Sequence, residues 1–359
     1  MSSIIVVGVV ALGWAAPGHE SRAHVPATAS VPATAPTATT RAATEPAIPA
    51  SAAFTDLEVG YRPDAFGHSR AVRVRPVLPG ERLELPLVWR EPRPAFVSYR
   101  WIPVGTVGAG GIEQPEKAAP QPLGVDAVAA APDEPGVYRI ELSADGRSRR
   151  LDGLDVIVQI PFRLKENGYL NGYRIGTYPT ERQNRSDRYA PPVGFIEVTP
   201  ENQSLRLSEH FTLREFLTKD QHRVWPKYVV VDPRLLDKLE LVMQDLEDRG
   251  IRADRMFVMS GFRTPQYNRR GLSRGRAVLS RHQYGDAADV WIDNDADGYM
   301  DDLNGDGRRD TRDARVILES VDRVERRYPE LVGGAGIYRD NGAHGPFIHI
   351  DARGRRARW

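Results

Sequence analysis

The stretch Ser280-Arg-His-Gln-Tyr-Gly-Asp-Ala-Ala-Asp289 decides how the second half of this chain is read. A histidine, a glycine and then small apolar residues ending in aspartate describe a tight turn that runs into a buried strand. His282 falls on the turn, and Asp289, seven residues on, falls on a strand over 287–292. A second fragment, Phe347-Ile-His-Ile-Asp351, reads as a strand. Strands alternate their side chains, so Phe347, His349 and Asp351 share a face. His282, His349 and Asp289 together offer two imidazoles and one carboxylate. That set leaves one position of a tetrahedral Zn²⁺ open, as catalytic zinc sites do. The chain has no cysteine, which removes disulfides, thiolate zinc sites, iron–sulfur clusters and cysteine nucleophiles.

The surroundings of these fragments predict a compact α+β domain over 206–359. Asp232 followed by Pro233 is a helix start. Leu235, Leu239, Val242 and Leu246 then line one face, and Gly250 stops the helix. A second helix is expected from Asp313 to Tyr328, with Ile317, Val321, Val324 and Tyr328 inward. Short strands are expected at 256–260, 287–292, 335–338 and 347–352. Between them lies a third chemical fragment, Ser260-Gly-Phe-Arg263-Thr-Pro265.

In order and spacing, S-G-F-R, S-R-H-Q-Y-G-D-A-A-D and the late H-I-D resemble the LAS group of zinc peptidases. That group includes D-Ala-D-Ala carboxypeptidases, murein endopeptidases and hedgehog-type domains. The resemblance covers about residues 205–359, from His210-Phe-Thr-Leu-Arg-Glu-Phe216 to the basic end at Trp359. It implies a hedgehog/D-Ala-D-Ala peptidase-like fold, with His282, Asp289 and His349 as zinc ligands. It implies that Arg263 binds a substrate carboxylate or the developing oxyanion. One departure stands out. The carboxypeptidase branch carries a glutamate general base three residues before the last histidine, and here that position is Pro346. Asp351, on the face of His349, is the first choice for the base, and His344 on the preceding loop the second. Asp351 has the alternative role of orienting a histidine ligand. His210 and Glu215 are expected to be structural. The cluster Arg353, Arg355, Arg356 and Arg358 reads as a solvated tail.

Residues 293–313, DNDADGYMDDLNGDGRRDTRD, carry a second metal pattern. Asp293, Asp295, Asp297, Gly298, Asp301 and Asn304 recur nine residues on as Asp302, Asn304, Asp306, Gly307, Asp310 and Asp313. Each register is an oxygen ladder for Ca²⁺ with glycine at the sharp turn. Neither register has the glutamate that closes an EF-hand, and they overlap, so two independent EF-hands are excluded. The pattern resembles the calcium repeats of dockerin or thrombospondin type, and so dense an acidic run repels itself unless a cation is present. One or two Ca²⁺ ions are expected, bracing the zinc site.

The first half differs in texture. The run Ile4–Ala16 is apolar but shorter than the roughly 20 residues a spanning helix needs. It matches a secretory signal core, so residues 1–23 are expected to be a signal peptide or N-terminal anchor. Residues 24–53 are rich in Ala, Thr, Pro and Ser, with VPATA at 25–29 and again at 31–35. Such a segment lacks the apolar groups to offset its ordering entropy and is expected to be a mobile tether. From 54 to 161 the period is two. Leu83, Leu85, Leu87 and Trp89 share one face, Tyr138, Ile140 and Leu142 another, and Leu154, Val156, Val158 and Ile160 a third. Short alternating strands with Pro/Gly punctuation predict a small all-β, sandwich-like domain. Residues 162–205 read as an irregular connector packed between domains.

The 359 residues carry 49 Lys+Arg against 48 Asp+Glu, a net charge of +1. That balance provides no global electrostatic case for nucleic acid. The expectation is an exported zinc metallopeptidase, periplasmic or secreted, that hydrolyses peptidoglycan stem peptides or cross-links, as carboxypeptidase or endopeptidase. The alternative is a non-catalytic wall- or partner-binding module that retains its metal. A third reading is a calcium-dependent structural protein.

Overall fold

A computed structural model describes residues 56–104, 119–181, 183, 189–342 and 344–359. The apolar run at 4–16 and the tether at 24–53 lie outside the described residues. Among those described, no helix is long and apolar enough to cross a membrane. The fold mixes many strands with few helices.

The first half is built on a five-stranded sheet. Its order is Val74–Val77, Arg147–Val158, Gly136–Ala144, Ser98–Pro103 and Gln121–Pro122. The first pair is parallel and the rest antiparallel. Two short ladders accompany it: Val59–Tyr61 with Leu87–Trp89, and Arg82–Glu84 with Val128–Ala130. The stretch 83–89, read as one strand, is therefore two. Pro86 separates them because proline removes a ladder donor, and each half finds a different partner. The face read as Tyr138, Ile140 and Leu142 is also broken. A register shift between Arg139 and Glu141 turns Val137 to one side and Ile140, Leu142 and Ala144 to the other.

The long strand Arg147–Val158 joins two hydrophobic cores. Leu154, Val156 and Val158 pack with Trp101, Ile140 and Leu142. Ile157 packs with Val72, Val74 and Val137 in a larger core that continues into the second half. Burial on both faces explains why 154–158 is buried without alternation. The boundary expected at 161 is thus a shared core, and residues Ala52–Trp359 make one compact unit. The expected connector belongs to that core: Tyr173, Ile175, Tyr178, Phe195, Ile196 and Val198 are all buried.

The second half carries another five-stranded sheet. Its order is Met256–Ser260, Ala287–Ile292, Phe347–Asp351, Gly334–Tyr338 and Ala357–Arg358. All pairs are antiparallel except the last. Helix α1 spans Pro233–Asp248, capped by Asp232, whose carboxylate accepts from the Arg234 amide. A short α2 spans Pro265–Arg269. Helix α3 spans Thr311–Arg327 and begins two residues before the expected Asp313. Its cap is Asp310, and Asp313 closes a reciprocal capping box. Ile317 and Val321 of α3 pack with Ile348 and Ile350, which leaves Phe347, His349 and Asp351 for the opposite face.

The basic end is not a solvated tail. Ala357–Arg358 is the edge strand. Arg353 pairs with Asp351, Arg356 with Asp322, and Arg358 with Asp322 and Glu325. His210 and Glu215 are structural. His210 bonds Glu240 at 2.7 Å, and Glu215 takes the Thr212 amide and hydroxyl at 2.6 Å each.

Candidate metal centre

Strand register brings the ligands together. Asp289 pairs across the sheet with His349, and on its other side with Ser260. His282 arrives on a 3-10 turn, Arg281–Tyr284, that ends at Gly285 with φ +75°. A side chain at Gly285 would also overlap the Val230 carbonyl oxygen at 2.4 Å, so glycine is needed twice over to place His282.

Three atoms converge. His349 Nδ1 lies 2.9 Å from Asp289 Oδ1. His282 Nε2 lies 3.2 Å from the same oxygen and 3.2 Å from His349 Nδ1. Ligands held 2.0–2.1 Å from a tetrahedral zinc stand roughly 3.3 Å apart, so this triangle is close to one face of such a tetrahedron. The outer nitrogens fix the tautomers. His282 Nδ1 donates to the Gly261 carbonyl at 2.7 Å. His349 Nε2 donates to Asp351 Oδ2 at 3.1 Å. Each imidazole is left with its lone pair aimed at the centre. Two imidazole nitrogens and a carboxylate oxygen at such range are a donor set that fits Zn²⁺.

The local electrostatics separate the two imidazoles. Burial, helped by Arg263, pushes His282 down to about 4, so it is neutral at physiological pH. Burial acts to lower His349 as well, but its bonds to Asp289 and Asp351 leave it raised. Burial works against the Asp289 charge, yet His282, His349 and Arg263 hold that carboxyl well below the usual range.

The neighbours of the candidate ligands bear on two expected roles. Asp351 is fully buried. Its oxygens take the Gly334 amide at 2.7 Å, Arg353 Nε at 2.8 and 2.9 Å, and His349 Nε2. It stands at the ring nitrogen of His349 opposite the centre, which is a position for orienting that ligand and not for taking a proton at the metal. Arg263 is also engaged: Nε donates to Ser260 Oγ at 2.8 Å, and Nη2 bonds Asp289 Oδ2. It holds Asp289 so that only Oδ1 faces the centre. His344 packs edge-on against Phe347 at 4.8 Å, and its Nδ1 donates to the Gly345 carbonyl, leaving Nε2 as an acceptor.

Other site groups had no role assigned from sequence. The Gly261 carbonyl and the Ser260 hydroxyl sit in the quoted S-G-F-R, yet nothing in spacing shows that they steady His282 and Arg263. The Trp359 indole lies 5.4 Å from the His349 ring and donates to Tyr338 Oη at 2.8 Å. Gly336 makes room for it, since a Cβ there would meet Trp359 Nε1 at 2.2 Å. Only contact across the edge strand reveals this.

In the acidic loop, Asp293, Asp295 and Asp297 bring carboxylate oxygens within 4.8 Å of one another. The remaining positions have local work. Asp301 takes the Asn294 amide at 2.9 Å. Asp302 takes the amides of Gly305 and Gly307 at 2.8 and 2.7 Å. Asn304 Oδ1 takes the Asp306 amide. Asp310 and Asp313 cap α3, and Asp313 also takes the Leu303 amide at 2.9 Å. Arginines share the charge: Arg255 pairs with Asp293, Arg309 with Asp295 and Asp297, and Arg312 with Asp306 and Asp310.

No family model, no curated protein and no solved structure matches this chain.

Proposed function

We propose that the chain is an exported zinc metallopeptidase that hydrolyses peptide bonds in peptidoglycan stem peptides or cross-links. The observation that carries the reading is the convergence of His282 Nε2, His349 Nδ1 and Asp289 Oδ1 with tautomers fixed from behind. Zn²⁺ held there supplies Lewis-acid polarisation of a scissile carbonyl. Arg263 has five donors, and Nη1 makes no hydrogen bond among the described residues, so it remains for a substrate carboxylate or oxyanion. Asp351 and Gly261 keep the two imidazoles in coordinating orientation. With Asp351 consumed by Arg353, Gly334 and His349, proton acceptance falls to His344 through Nε2. Ca²⁺ at Asp293, Asp295 and Asp297 would brace the loop that follows the Asp289 strand.

The test is digestion of purified peptidoglycan with and without chelator, with products read by mass spectrometry. Released peptide that disappears on chelation and returns with Zn²⁺ is expected, as is loss of both zinc and turnover in His282→Ala. His344→Ala is expected to keep zinc and lose most turnover. One observation favours a second reading, a wall-binding module with a retained metal: Pro346 stands where the related peptidases carry their base. Intact zinc-loaded protein that pulls down with peptidoglycan yet releases nothing would establish that reading.

A further inference from the structure

A cleft of about 400 Å³, lined in part by Thr218 and Phe257, is left without a role by the peptidase reading. Its charge is one-sided. Arg214, Lys219, His222, Lys227 and Arg255 line it, with Glu215 as its one carboxylate. Glu215 is spent on the Thr212 amide and hydroxyl. Two of the cations are also committed: Lys227 Nζ donates to the Gln221 carbonyl at 2.6 Å, and Arg255 pairs with Asp293 at 3.0 Å. Arg214, Lys219 and His222 have no side-chain hydrogen bond or ion pair among the described residues.

The cleft adjoins the turn that carries Arg263. Thr218 Oγ1 donates to the Phe262 carbonyl and accepts from the Thr264 amide, each at 3.1 Å. These two bonds bracket Arg263, so Lys219 follows directly from the turn that carries it. Lys219 is within electrostatic reach of both Arg263 and Asp289. The cleft lining includes Phe257, which pairs with Trp291, and Trp291 shares the face of the sheet that carries Asp289. A chain lying in the cleft would therefore run along the face of the sheet that carries Asp289. Cations gathered in a concave, partly apolar site focus field on an anionic ligand. Carboxylates also take charge-assisted hydrogen bonds from lysine and arginine.

We infer that this cleft, with Arg214 and Lys219 as its reading groups, is a subsite for the carboxylates of an acidic peptide whose neighbouring bond lies at the metal centre. The inference rests on the peptidase reading for the position of that bond, and on the cleft alone for the binding. The experiment is isothermal titration of the full-length, zinc-loaded protein with tetraglutamate, tetraglutamine and a short inorganic polyphosphate, at low and at physiological ionic strength. Tetraglutamate is expected to bind, more weakly as salt rises, while tetraglutamine gives no measurable heat. Arg214→Ala/Lys219→Ala is expected to weaken tetraglutamate roughly tenfold or more, with zinc content and melting temperature unchanged. Lys219→Glu should abolish binding even if the double variant folds poorly. Equal binding of tetraglutamine, or unchanged affinity in both variants, would overturn the subsite. Tighter binding of polyphosphate than of tetraglutamate would overturn its assignment to peptide. Tetraglutamate binding by a protein that never cleaves peptidoglycan would leave the cleft standing and remove the peptidase reading.

Discussion

At the scale of single residues, the candidate centre depends on groups that stand behind its ligand atoms. Asp351 holds His349 by Nε2 and is itself held by Arg353 and by the Gly334 amide. Asp351→Asn keeps the shape and removes the charge that fixes the imidazole. It is expected to weaken zinc 10–100-fold, about what loss of a group behind a metal ligand costs, read by competition with a chelating dye. Lys238 is buried without exposure, donating to Glu325 and to the Asp351 carbonyl at 2.7 Å each. Its removal leaves a buried carboxylate short of a partner. Lys238→Met is expected to cost about 3–5 kcal/mol in denaturant unfolding, with the strand under His349 losing its support from α1.

At the scale of elements, side chains tie loops to helices in ways that respond to pH. His210 joins the 206–212 turn to α1 through Glu240. The Glu240 hydrogen bond raises His210 above its ordinary value of 6.5, against burial. The folded state therefore favours protonated His210. Its stabilisation is complete below about pH 6.5 and is lost as pH rises through the folded value. The urea midpoint of the wild type is expected to fall over that rise. His210→Asn should show a flatter dependence, and an identical slope would remove His210 from the account. A second element-scale tie is Asp237 of α1, which accepts the amides of His68 and Ser69 at 2.8 and 2.7 Å. It docks a loop of the first half on the helix of the second.

At the scale of the whole molecule, the two halves share a strand and a core. Residues 56–359 are expected to unfold in a single calorimetric transition; two resolved peaks would show that 54–161 is independent after all. Much of the second half was legible because its patterns are local. Leu235, Leu239, Val242 and Leu246 repeat at the helical period, and all four are buried. The Phe347–Asp351 strand alternates cleanly, and the candidate ligands His282, Asp289 and His349 lie on two short fragments in order. Other features depend on partners distant in sequence, which periodicity does not carry. Pro86 splits one apparent strand because its halves pair with 59–61 and 128–130. Arg358 reads as tail until Asp322 and Glu325 appear beside it. By itself the sequence determined the helices α1 and α3, the strands that carry Asp289 and His349, and the candidacy of His282, Asp289 and His349 as a ligand set. Only the tertiary structure decided that Asp351 orients His349 and that Arg263 holds Asp289. It alone showed that basic side chains beside Arg263 form a cleft. The physical reason is that ligand identity is a property of residue type and spacing, whereas the direction of each hydrogen bond is set by neighbours brought in by the fold.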